Sequence, residues 1–252
     1  MTPFIPCRVC AGKPGPFPGF YYIKKQGVLC AVECECHKHW EAVQTLERKL
    51  TDANIWLNLE YEPLQHYKGR NSLEEVQNLL FYVNNFENRF KDKMIYMFGI
   101  NGTQKTTLAM WVGRELIKRG RSVYYTLMEN LTIALSPDFS SKDGENAKKR
   151  LIEKALDVDL LIIDESFDRT KMTIYKSGYQ IPLLDSFLRN RFDIEKKAII
   201  FISNKPPTSL VESGFGESLQ SLISRNTRES TLIFKDEYIK EANTIDTKGL
   251  FK

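Results

Sequence analysis

At 252 residues, with 42% hydrophobic and 27% charged residues, the chain has the composition of a folded protein and room for one full α/β core beside a small accessory module. No apolar run approaches the roughly 20 residues of a membrane-spanning helix, and the N-terminus lacks a basic region followed by an apolar core, so a cytoplasmic protein with no membrane partner is expected. The net charge of +4 is compatible with nucleic-acid binding without requiring it.

All five cysteines fall between positions 7 and 36, and a cytoplasmic chain would not keep them as structural disulfides. Cys7 and Cys10 have the two-residue spacing that lets two thiolates reach one ion, and Cys34 and Cys36 return to supply a second pair. The expectation is Zn²⁺ in a closed site of Cys7, Cys10, Cys34 and Cys36. Cys34 with His37, or Cys36 with His39, would also restore two-residue spacing, so the fourth ligand stays open among Cys36, His37 and His39. Cys30 shares a strand face with Val28 and Val32, which favours packing. Residues 20–23 and 28–32 read as two short strands around a turn at 24–27, giving a zinc ribbon. So small a module cannot hold a fold on apolar burial alone, a second reason to expect the ion.

Trp40, Val43, Leu46 and Leu50 then recur at helical spacing, predicting an amphipathic helix that ends near position 52. Residues 53–71 contain Pro63 and Gly69 with little periodicity and read as an irregular linker. Ser72 offers an N-cap with Glu75 three residues on, and Val76, Leu79, Leu80, Val83, Phe86 and Phe90 form one apolar stripe. The division expected is a ribbon-and-helix module over 1–52, a linker over 53–71 and a nucleotide-binding domain over 72–252.

The apolar run 94–98 is followed by Gly99-Ile100-Asn101-Gly102-Thr103-Gln104-Lys105-Thr106-Thr107 and then by an apolar-periodic segment. Strand, loop and helix in that order are what a phosphate-binding loop requires. Loop N–H groups and the positive end of the helix would surround a polyphosphate, Lys105 would place a point charge on its outer phosphates, and the Thr106 hydroxyl would hold Mg²⁺. Gln104 stands where this pattern normally has Gly, so the nucleotide-binding set of Gly99, Asn101, Gly102, Thr103, Gln104, Lys105, Thr106 and Thr107 carries one side chain where the backbone must turn tightly.

Further strands are expected at 122–127, 160–163, 198–203 and 231–234, uninterrupted apolar segments of the kind buried inside a parallel sheet. Asp164 follows the second of these and would complete Mg²⁺ binding, while Glu165 would polarise an attacking water. Asn204 ends the next strand, placed to sense the terminal phosphate, although a turn residue before Pro206 and Pro207 is the plainer alternative. Arg225 follows a short apolar-periodic stretch and could reach a nucleotide held by a neighbouring subunit; Arg228 is its rival. Residues 169–180 mix Lys171, Tyr175, Lys176 and Tyr179, a combination suited to stacking on nucleic acid or to a solvated loop.

These residues together resemble helicase loaders of the DnaC/DnaI type and the related IstB-type transposition ATPases within the AAA+ group. The resemblance covers nearly the whole chain and rests on Cys7, Cys10, Cys34 and Cys36, on the segment Ala53-Asn54-Ile55, on the 99–107 loop, and on Asp164, Glu165, Asn204 and Ser224-Arg225. It implies an α/β AAA+ core with a parallel sheet behind the zinc ribbon, and an ATPase using ATP and Mg²⁺. It further implies a hexameric replicative helicase and single-stranded DNA as partners, with assembly into a homo-oligomer or a helicase-bound ring. Where such proteins often carry an arginine after the last strand, this chain reads Lys235-Asp236-Glu237-Tyr238-Ile239-Lys240, and little length remains for a helical lid. The compact size looks like a phage-type loader. The competing functions are an IstB-like ATPase acting on double-stranded DNA and a nucleotide-binding adaptor whose turnover is lowered by Gln104.

Overall fold

The computed structural model describes residues 3–12, 15–67, 73–136, 142–172 and 179–235. The chain divides into two compact units, Met1–Asp52 and Ala53–Lys252. Among the described residues no helix is long and apolar enough to cross a membrane.

The first unit holds α1 (Arg8–Gly12), an antiparallel hairpin of β1 (Phe20–Lys25) and β2 (Val28–Glu33), and α2 (Glu35–Asp52). Gln26 and Gly27 both take positive φ, 48° and 86°, so a two-residue turn joins strands paired from Phe20↔Glu33 to Lys25↔Val28. Cys34 sits at the junction, its carbonyl accepting from the N–H groups of His37 and Lys38 as α2 begins. The expected amphipathic helix therefore starts a turn earlier than Trp40, bringing Cys36 into its first turn.

The second unit is a five-stranded parallel sheet. Its strands are β3 (Met94–Gly99), β4 (Val123–Leu127), β5 (Leu160–Asp164), β6 (Ala198–Ser203) and β7 (Thr231–Phe234), in the order β4-β5-β6-β3-β7. Every residue of β5 and β6 is buried, which is why those strands read as unbroken apolar runs. Around the sheet run α3 (Pro63–His66), α4 (Leu73–Asn84), α5 (Lys105–Lys118), α6 (Met128–Leu135), α7 (Lys142–Asp157), α8 (Gln180–Arg189) and α9 (Glu217–Thr227). Leu161 and Ile163 of β5 join Tyr96, Ile199 and Phe201 in one core with Leu184 and Leu188 of α8 and Leu219 and Leu222 of α9. Helix α5 packs on the sheet against β4, β5 and β6. From β3 the chain leaves to the β4 edge, while β6 and β7 flank β3, so the crevice at the carboxyl ends of these strands is where an α/β sheet takes its ligand.

Two features differ from the sequence reading. The apolar stripe from Val76 does not run as one α-helix: α4 stops at Asn84 and Phe86–Phe90 continues as a π-turn. The proposed cap Ser72 lies outside the described residues. Second, the stretch expected as a linker is tied into the core over its described residues. Ala53 O accepts from Tyr125 N–H, and Asn54 Nδ2 donates to Tyr125 O. Arg114 of α5, fully buried, donates to the carbonyls of Asn58, Leu59 and Tyr61 at 2.7–2.8 Å. A second buried arginine, Arg191, ties the end of α7 by donating to Ala155 O, Leu156 O and Val158 O, and burial holds its pKa down to about 10.

Candidate nucleotide site and candidate metal centre

The loop after β3 is shaped by close packing. Gly99 takes φ 154° and pairs with Phe234 of β7, and a Cβ there would run into the Phe234 carbonyl. Gly102 turns the chain at φ 83°, and Gln104 stands at the start of α5 with φ 61° and ψ 17°. That left-handed geometry is the reason glycine is usual at this position. Lys105 is the first residue of α5. Its ammonium donates to Gly99 O at 2.8 Å, Ile100 O at 2.7 Å and Thr103 Oγ1 at 3.2 Å, holding the loop around it. Burial lowers its pKa to about 8, opposed by the charge of Asp164 and reinforced by that of Lys171.

Asp164 closes β5 beside the loop. Its Oδ2 accepts from Thr106 Oγ1 at 2.7 Å and from Tyr125 Oη at 2.8 Å, and its Oδ1 accepts from Glu165 N–H. A hydroxyl and a carboxylate oxygen in contact, both neutral-to-anionic oxygen donors beside a phosphate loop, form a set that suits Mg²⁺. Glu165 and Phe167 both take positive φ, 52° and 61°. Ser166 between them fixes the turn, its N–H bonded to Ile202 O and its hydroxyl to Ile163 O. Glu165 Oε1 accepts from Lys171 Nζ at 2.7 Å.

These groups share one cleft of about 270 Å³, whose lining includes Asn101, Gly102, Thr103, Gln104, Lys105 and Thr106 with Asp164, Glu165 and Asn204. Asp168 and Lys171 line it too. Of the expected nucleotide-site residues, Gly99 and Thr107 stand outside this lining: the first supplies the carbonyl that receives Lys105, and the second lies in α5. Arg225 is not among the lining residues either. It lies in the last turn of α9 and faces a separate hollow with Arg89, Lys93 and Arg228. Sequence reasoning did not single out Tyr125 at all and placed Lys171 among nucleic-acid candidates; nothing in local spacing ties either to Asp164 or Glu165. Residues 173–178, with Tyr175 and Lys176, lie outside the described residues, as do 236–240 of the segment after β7.

In the first unit the Sγ atoms of Cys7, Cys10, Cys34 and Cys36 all lie within 4.8 Å of one another, with Cys7–Cys34 at 3.6 Å, Cys10–Cys36 at 3.5 Å and Cys7–Cys10 at 3.9 Å. A tetrahedron with Zn–S bonds of about 2.3 Å has edges of about 3.8 Å, so the four thiols fit a zinc ion. Backbone N–H groups of Cys10 and Val9 hold the pKa of the Cys7 thiol down to about 6, whereas burial and the neighbouring thiols push Cys34 and Cys36 up, so without an ion the cluster favours one thiolate rather than four. His37 is otherwise engaged: its Nδ1 is 2.7 Å from Glu33 Oε1, and its ring packs against Phe4 and Phe20. His39 is exposed, and Cys30 stands apart, half-buried with its thiol toward Val28 O.

Residues 65–212 match the family model described as IstB-like ATP binding protein. Over 82 residues the chain is 37% identical to a probable adenylyl-sulfate kinase of Halalkalibacterium halodurans, covering 32% of this chain and 38% of that protein. Among solved structures it is similar to the crystal structure of a DNA replication initiation factor (TM-score 0.54, 20% identity, 72% of this chain and 51% of that one). It is also similar to the replication initiator DnaA bound to AMPPCP and single-stranded DNA (TM-score 0.52, 20% identity, 73% and 51%). A third similar structure is the DnaC helicase loader (TM-score 0.52, 18% identity, 73% and 99%). The chain thus spans about half the length of the first two structures and 38% of the kinase. At these identities the structural likeness is one of fold.

Proposed function

The chain belongs to the family of IstB-like ATP binding proteins, and we propose that it is an ATPase of the AAA+ phosphate-loop type that uses ATP to deliver a replicative DNA helicase onto single-stranded DNA. The observation that carries the ATP site is the contact of Thr106 with Asp164 inside the cleft that also holds Lys105 and Glu165. In this reading Lys105 neutralises the outer phosphates and Thr106 and Asp164 hold Mg²⁺, which shields phosphate charge. Glu165 orients the attacking water and Asn204 senses the terminal phosphate. Arg225, which lines a hollow separate from the cleft, acts on the nucleotide of an adjacent subunit, making the working form an oligomer or a helicase-bound ring.

The four thiols hold zinc and fix the 1–52 module, which serves as the helicase-binding arm, with the 72–252 segment as the ATPase domain. Two similarities support the DNA-replication reading: the fold is shared with a DnaC helicase loader and with DnaA bound to AMPPCP and single-stranded DNA. The experiment is a loading assay. Hexameric replicative helicase is offered circular single-stranded DNA carrying an annealed strand, with and without this protein and ATP. Unwinding that requires the wild-type protein and is lost with Lys105→Ala supports the proposal; unwinding indifferent to the protein contradicts it.

The family description favours a second reading, an IstB-type transposition ATPase acting on double-stranded DNA. It is separated from the first by which DNA stimulates hydrolysis: double-stranded for the transposition ATPase, single-stranded for the loader.

A further inference from the structure

The cleft holds a second lysine that the roles assigned above do not use. Lys171 ends a short 3-10 turn, Arg169–Lys171, started by Asp168, whose carboxylate accepts from Thr170 N–H and its hydroxyl. The chain leading to it is rigid: Ser166 is bonded to β5 and β6, and Phe167 is fully buried against Phe201 and Phe215. From that fixed backbone two flexible side chains emerge into the cleft, Glu165 and Lys171, paired at 2.7 Å and each more than a third exposed. The pair is therefore a weak one, easily exchanged for a stronger partner. Lys105 and Lys171 both line this cleft, and the charge of Lys171 helps hold the Lys105 pKa down. The hydrogen bond to Glu165 raises the pKa of Lys171, which keeps its charge throughout the working range.

A terminal phosphate carries nearly two negative charges and three acceptor oxygens, where a carboxylate carries one charge. A single ammonium on a flexible stem, a point charge with three donors, goes to the stronger acceptor within its reach. We propose that Lys171 is a ligand for the terminal phosphate of a bound nucleoside triphosphate, in competition with Glu165, so that the triphosphate itself releases the Glu165 carboxylate for its work on water. The proposal rests on the cleft being an ATP site. A diphosphate, lacking the terminal group, leaves the ion pair in place.

The test is a double-mutant cycle in affinity, read by calorimetry on full-length wild type, Glu165→Gln, Lys171→Ala and the double variant, with a non-hydrolysable ATP analogue and with ADP. Both side chains are partly exposed, and unchanged thermal midpoints check that the variants fold. Glu165→Gln frees Lys171 and is expected to tighten analogue binding about three- to tenfold, a gain that disappears in the Lys171→Ala background, with ADP affinity the same in all four proteins. Three results would each overturn it: a gain that persists without Lys171, and so comes from relieved repulsion alone; no gain at all; or loss of analogue and ADP affinity alike in Lys171→Ala. A failure of the cleft reading looks different, since Lys105→Ala would then bind the analogue as well as wild type.

Discussion

Tyr125 Oη and Thr106 Oγ1 both donate to the same oxygen of Asp164, at 2.8 and 2.7 Å. Burial, together with the Asp164 charge, pushes the pKa of the phenol well above its usual value, so it remains a donor at any working pH. Tyr125 therefore aims the carboxylate that is proposed to hold Mg²⁺, as outer-shell partners of metal ligands do. Tyr125→Phe removes that bond and little volume. The Mg²⁺ concentration for half-maximal hydrolysis is expected to rise about tenfold, with nucleotide affinity in the absence of Mg²⁺ unchanged; a magnesium titration reads both.

Gln104 occupies left-handed backbone at φ 61°, which costs a non-glycine residue about 1–2 kcal/mol. Gln104→Gly relieves that cost, partly offset by a more flexible unfolded chain, and is expected to raise the thermal midpoint by a few degrees. It also removes a side chain from the lining of the phosphate cleft, so nucleotide binding should tighten. Gln104→Val, β-branched in the same conformation, should lower the midpoint. Scanning calorimetry with and without nucleotide separates the two effects.

The pH dependence of binding follows from Lys105. Its pKa of about 8 means the ammonium is charged at pH 7 and loses its proton as pH rises through 8. A bound phosphate favours the charged form, raising that pKa in the complex. Affinity from this lysine is thus complete below pH 8 and declines above it, by up to about tenfold per pH unit until the raised value is reached. Nucleotide affinity measured from pH 6.5 to 9.5 should show this fall in wild type and a flat profile in Lys105→Ala.

The parallel sheet was legible because its inner strands are buried on both faces: 198–203 is found at the expected bounds and 160–163 gains only Asp164, while the edge strand 231–234, only partly buried, is also found at its expected bounds. The order of strand, loop and helix around Lys105 was legible because those elements are consecutive in the chain, and β3 and α5 flank the loop as expected. What sequence could not supply were bonds between distant residues. Arg114 sits in an apolar-periodic helix with no sign that its guanidinium gathers carbonyls of residues 58–61 from the stretch expected as a linker. Tyr125 is one aromatic in an aromatic strand until the pairing Leu127↔Asp164 sets β4 beside β5. Lys171 reads as part of a nucleic-acid-facing or solvated loop until the turns at Glu165 and Phe167 fold it back onto the cleft.

Zinc is tested by removal. Cys7→Ser deletes one of the four thiols and should lose the metal, measured as about one equivalent in wild type and far less in the variant. The first unit should loosen, with faster amide exchange in β1 and β2, because so small a module has little apolar core of its own. ATP binding should persist, since the phosphate cleft is built wholly from the second unit. Wild-type protein purified without chelator and free of zinc would contradict the assignment.

Arg225 and Glu165 provide the most direct test of an ATPase that works between subunits, because Arg225 does not line the cleft that Glu165 lines. Arg225→Ala alone should lower hydrolysis on the order of a hundredfold or more, and Glu165→Gln should bind ATP without turning it over. Mixed under conditions where joint assemblies form, each variant supplies what the other lacks at one kind of interface. The measurement is the ATP hydrolysis rate of that mixture with single-stranded DNA present. A rate well above either variant alone is predicted; a mixture no faster than its components would contradict a finger acting from the neighbouring subunit.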